Sequence, residues 1–187
     1  MAKGSAFERE IAKRLTVWLT GKEKPYAFWR TPGSGALATI SELNAKNMSG
    51  DIIGITNEAK KICDLFSIEL KNGYPKTSFW QFFSNAKNFN IESFWKQSIR
   101  DAVKSNKRPM LIYRKKGRKP IIGVTRSISK LLLNEYQELL YVGRLTLDFK
   151  ASDGYATLPL VLYDFEKFLS IVKPDKIRQI GERDGKN

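Results

Sequence analysis

The stretch 64-DLFSIELKNG-73 decides how this chain folds. Drawn out as a strand, it sends Phe66, Ile68 and Leu70 to one side and Ser67, Glu69 and Lys71 to the other. The first set is core. The second puts a carboxylate and an ammonium on one face in the middle of an otherwise apolar run, as either a surface salt bridge or a reactive site would require.

Working outward, 187 residues suffice for one well-buried domain over 1–175, with a basic, flexible tail expected over 176–187. Thirty-three Lys and Arg against nineteen Asp and Glu leave a net charge of +14. Such a field draws in polyanions, so a phosphate backbone is the first partner to consider; a merely solubilising lysine surface is the alternative. No apolar run approaches the length of a membrane span and no signal-peptide core opens the chain, so a cytoplasmic protein of a bacterium, an archaeon or a phage-infected host is expected. Cys63 has no partner cysteine. There is no histidine, which excludes imidazole bases, Ser-His-Asp triads and His-ligated zinc. Hydrolytic chemistry here must rest on carboxylates, lysine and an oxygen-preferring metal.

Residues 5–20 read as a helix capped by Ser5 and ended by Gly21, with Phe7, Ile11, Leu15, Trp18 and Leu19 on one stripe. Glu8 falls inside that stripe, whereas Arg9 and Glu10 fall outside it. Strands are expected over 26–31, 51–56 and 62–71, with a Gly- and Ser-bearing loop between the first two. One or two helices follow over 77–105. A hairpin of 109–115 and 120–125 comes next, and then shorter strands and helices. The expected fold is α/β: a mixed central sheet flanked by helices, with a site at one sheet edge where helix 5–20 meets strands 51–56 and 62–71.

Three acids interrupt apolar patterns: Glu8 on the helix stripe, Asp51 at the head of a strand, and Glu69 within the next. Burying unpaired carboxylates is costly, and grouping them adds repulsion. A lysine or arginine partner relieves one acid; a divalent cation relieves all three at once. Mg²⁺ takes hard oxygen ligands, and a lysine on the same face as a metal-binding glutamate can orient the attacking water and offset phosphorane charge.

The order GSAFERE (4–10), WRTPGSG (29–35), SGD (49–51) and IELK (68–71) resembles the PD-(D/E)xK nuclease superfamily, and within it looks most like the archaeal-type Holliday junction resolvases and related phage proteins. The resemblance implies a restriction-endonuclease-like core and a Mg²⁺-dependent endodeoxyribonuclease, with Mn²⁺ able to substitute. It implies Asp51 and Glu69 as metal ligands, Glu8 as the helix carboxylate completing the metal site, and Lys71 as the catalytic lysine. Arg9, Arg30 and Ser34 would contact DNA or support the site. Branched (Holliday) junctions are the implied substrate, and a homodimer the implied partner arrangement. A nuclease of linear duplex or single-stranded DNA, and a non-catalytic DNA-binding module on the same scaffold, stand as alternatives. The chain departs from the pattern in carrying Gly50 where a proline precedes the motif aspartate, and in the eighteen positions between Asp51 and Glu69.

Outside this span, Gln97 resembles a polar residue that some members of the superfamily aim at the site, although such a residue is more often a solvated helix residue. Arg114, Lys115, Lys116, Arg118 and Lys119 form a basic hairpin tip suited to a phosphate backbone. Phe79, Trp80, Phe82 and Phe83 have the spacing of core or dimer packing more than of base stacking.

Overall fold

In a computed structural model, residues 3–31, 49–73, 90–151 and 154–184 are described. Helix α1, Lys3–Thr20, begins two residues before the expected Ser5 cap, so Ser5 lies within its first turn. Phe7, Ile11 and Leu15 are buried at three- and four-residue spacing, and Trp18 and Leu19 pack at the margin of the same core. Each fully buried side chain of this size stabilises the fold by about 2 kcal/mol.

Strands β1 (Phe28–Arg30) and β2 (Ile52–Gly54) pair antiparallel, Arg30 opposite Ile52. Helix α2 (Asn57–Leu65) leads directly into β3 (Phe66–Gly73), so the strand expected over 62–71 starts at 66. The reason is local. The Thr56 side chain accepts a hydrogen bond from the Ala59 amide and caps the helix, and Ala59, Ile62 and Cys63 fall on one buried face. Burial pushes the Cys63 thiol up to about 12, so it serves as packing and not as a nucleophile.

Helix α3 (Asn90–Lys104) supplies the crossover that lets β4 (Arg108–Lys115) lie parallel to β3, with Glu69 opposite Leu111 and Lys71 opposite Tyr113. β5 (Ile121–Thr125) returns antiparallel as the expected hairpin. After α4 (Arg126–Leu133), β6 (Gly143–Ala151) and β7 (Gly154–Asp164) form a second hairpin, followed by α5 (Phe165–Ile171) and α6 (Pro174–Asp184). The five-stranded sheet runs β3-β4-β5-β7-β6, mixed and flanked by helices, as expected.

Both faces of the sheet are covered. Phe66, Ile68, Leu70 and Ile112 join α1, α2 and α4 to α6 in the larger core. On the other face Leu111, Tyr113, Leu160 and Leu162 pack against Ile91, Phe94 and Trp95 of α3. The segment expected as a tail from 176 is helical through Asp184. Pro174 sets the first turn, and Ile177 and Ile180, three apart, are buried in the larger core. No helix among the described residues is long and apolar enough to cross a membrane.

One buried hydroxyl helps to dock the small sheet. Thr16 is fully buried; its Oγ1 donates to Ala12 O and accepts from the amides of Ala27 and Phe28, both at 3.2 Å. Replacing Thr16 by the isosteric Val strands both amides. Denaturant unfolding should show a loss of about 2 kcal/mol.

Candidate active site

Among the described residues β3 is an edge strand, and on its open side Asp51 makes two hydrogen bonds to it. The Asp51 amide donates to Ile68 O at 2.8 Å, and the Asp51 carboxylate Oδ2 accepts from the Leu70 amide at 2.8 Å. Asp51 therefore substitutes for a neighbouring strand, backbone on one side of Glu69 and side chain on the other. The Thr31 amide donates to Asp51 O, and Thr31 Oγ1 donates to Gly50 O, which ties the same corner to the end of β1.

Gly50 forms a parallel bridge to Ile68 with φ at +86°, and a Cβ there would lie 2.6 Å from Ile68 O. Only glycine fits. This accounts for the departure from the resembled pattern: proline cannot adopt positive φ, so Asp51 is delivered by a bridging glycine.

Glu69 is 5% exposed, on the α3 side of the sheet, and its Oε1 lies 2.6 Å from Lys71 Nζ. Burial and the neighbouring Glu69 charge, with a smaller contribution from Glu8, push Asp51 up to about 7 against the pull of the Leu70 amide. Burial likewise raises Glu69, opposed by Lys71, with Asp101 of α3 adding to the rise. Two adjacent, largely buried carboxylates that resist ionising together form a site short of positive charge.

Glu8 looks toward this corner from α1, largely buried, but its Oε2 stands 3.6 Å from Arg30 Nη1. Among the described residues, no three acidic or sulfur side chains are close enough to form a ready-made metal cage. The expected trio thus resolves into a close pair, Asp51 and Glu69, with Glu8 set back on Arg30. A pair of hard oxygen donors with raised proton affinities fits a divalent cation of the magnesium kind, which binds through one or two carboxylates and keeps several waters.

The other expected residues are distributed differently. Arg114 is not at a hairpin tip. Its Nη1 donates to both Glu10 oxygens at 2.8 and 2.7 Å, its Nε donates to Asn72 Oδ1, and its guanidinium lies 4.3 Å over the Phe7 ring. It clamps α1 to the end of β3. Lys116, Arg118 and Lys119 are exposed on the turn, which Gly117 makes with φ at +73°, and the Lys116 amide donates to Gly73 O, so the turn sits beside the C-terminal end of β3. Lys115 and Arg9 are partly buried, and Arg9 is already engaged by a neighbour. Gln97 lies one turn past Phe94 on α3, between Phe94 and Asp101, on the flank that borders Glu69 and Lys71. Ser34, Phe79, Trp80, Phe82 and Phe83 lie outside the described residues.

Two residues of this corner carry no local sequence signal. Asp101 reads as an ordinary helix acid until α3 is laid along β3. Phe94, whose ring lies 5.6 Å from Lys71 Nζ, reads as plain core.

Residues 1–179 match the model of the family described as "Phage putative PDDEXK endonuclease". The chain belongs to that family. The match spans all four motif segments, so membership in the PD-(D/E)xK superfamily and the coarse activity of an endonuclease follow together. No curated protein and no solved structure matches the chain.

The endonuclease fold holds Asp51 protonated more tightly than the unfolded chain does, since folding raises it from 3.8 to about 7. Stability in the absence of divalent metal therefore falls, on account of this group, as pH rises from 3.8 to about 7 and is lowest above that window. Asp51→Asn keeps an acceptor for the Leu70 amide and removes the penalty. Thermal melts in chelator at pH 8 should place this variant several degrees above wild type, the gap closing toward pH 4.

Proposed function

We propose that this protein is a divalent-metal-dependent endodeoxyribonuclease that hydrolyses DNA phosphodiesters at the β3 edge. The observation carrying this reading is the Asp51–Glu69 pair, largely buried, cation-deficient and flanked by the Lys71 ammonium, in a chain of an endonuclease family with a net charge of +14. Asp51 and Glu69 would hold the ion, with Glu8 reaching it through water. When bound, the ion supplies Lewis-acid charge and a more acidic water.

Lys71 orients the attacking water and offsets the charge that develops on the phosphorus oxygens. Arg30, 37% exposed at its side chain and only loosely paired with Glu8, is free enough to grip a flanking phosphate, and Ser34 is proposed to assist it. Gln97 is proposed as a substrate contact from the α3 flank. Lys116, Arg118 and Lys119, with Lys115 behind them, are proposed to track the backbone leaving the site, whereas Arg114 serves the fold. Arg9 is proposed to support the Glu8 turn.

Asp51→Ala, Glu69→Ala and Lys71→Ala should each lower Mg²⁺-dependent DNA cleavage by at least about 100-fold, with DNA affinity changed little. Wild-type rates in all three would overturn the reading, as would full activity in chelator. Arg118→Ala with Lys119→Ala should weaken binding of every DNA tested and reduce its salt dependence by about two counterions, with kcat preserved.

Substrate class is read from a gel comparing a four-way junction with linear duplex and single strands of the same sequence. Paired nicks across the junction support a resolvase, which needs two sites and hence a homodimer. Indifference to branching assigns the enzyme to linear DNA, and binding without cleavage of any substrate assigns it to the non-catalytic class.

A further inference from the structure

We infer that Phe94 is a positioning residue that holds the Lys71 ammonium in place while Glu69 is occupied by the metal; this rests on the role proposed above for Lys71. Among the described residues, two groups lie against that ammonium: Glu69 Oε1 at 2.6 Å and the Phe94 ring, its centroid at 5.6 Å. With a divalent cation bound, Glu69 would share its charge with the ion, and its hold on the Lys71 ammonium would weaken. Lys71 has a flexible four-carbon stem and a side chain 15% exposed, so it has a route to solvent.

The ring face is the contact that metal binding does not remove. Its quadrupole attracts an ammonium, more strongly where water is excluded, and it bears no charge for the metal to draw off. The ring is itself fixed. Phe94 is 6% exposed and packs at 5.8 Å against the Tyr113 ring, and Tyr113 is the cross-strand partner of Lys71. Fully buried Ile91, Trp95 and Ala102 seat α3 beneath it. Lys71 is thus held between a partner it loses during turnover and one it keeps.

A structural role and a positioning role part company when the ring is kept and its electrons are withdrawn. Progressive fluorination of the phenylalanine at position 94, in the full chain, leaves volume and packing nearly unchanged while cancelling the attraction for a cation. The expected result is a stepwise fall in kcat reaching about tenfold in the most fluorinated protein, with KM for DNA and the melting temperature held. Phe94→Leu should show the same loss in kcat together with a lower melting temperature from the cavity.

Unchanged kcat across the fluorinated series, with Lys71→Ala inactive, overturns the inference and leaves the proposed function standing. Wild-type activity in Lys71→Ala overturns both.

Discussion

The whole arrangement depends on one residue making two hydrogen bonds to one strand. By donating its amide to Ile68 and accepting from Leu70 through its carboxylate, Asp51 takes the place of a sixth strand along the open edge of β3. An edge strand left bare invites pairing with another chain, and Asp51 blocks that along part of β3. The same carboxylate that satisfies the Leu70 amide is brought beside Glu69, so the closure of the sheet and the assembly of the site are one event. Gly50 is the geometric condition for it, because no other residue allows the backbone that close to Ile68.

The site is built at the expense of the fold's own stability. Burial raises both carboxylates, Asp51 further through the Glu69 charge and Glu69 further through Asp101, and neither Lys71 nor the Leu70 amide fully offsets this. Stability is supplied elsewhere, by the paired cores on the two sheet faces and by polar clamps such as Arg114 to Glu10 and Trp18 Nε1 to Val172 O. These clamps fix α1, which carries Glu8 toward the corner. A locally strained charge cluster supported by a satisfied periphery is what a catalytic site on a rigid scaffold demands.

Much of this was legible in the sequence where periodicity and burial act alone. The two-residue alternation of 66–71 separated core from site, and the helical angle of Glu8 separated it from Arg9 and Glu10. What was not legible depends on tertiary neighbours. The run Ile62-Cys63-Asp64-Leu65 looks extended until the Thr56 cap and the buried face of α2 are considered together. Arg114 looks like part of a basic tip until Glu10, more than a hundred residues earlier, is found against it. Ile177 and Ile180 are two apolar residues among charges, too few to announce a helix without the core that receives them. Glu8 is largely buried on α1, and its ion-pair partner Arg30 comes from β1, which no local pattern reports.

The last helix bears on where the fold can be cut. Ile177 and Ile180 share a core with Ile62 and Cys63 of α2, and α2 runs without a break into the strand that carries Glu69 and Lys71. The helical turns that follow Pro174 therefore buttress the segment that carries Glu69 and Lys71. Truncation at 175 would remove Ile177 and Ile180 and with them a wall of the core behind β3.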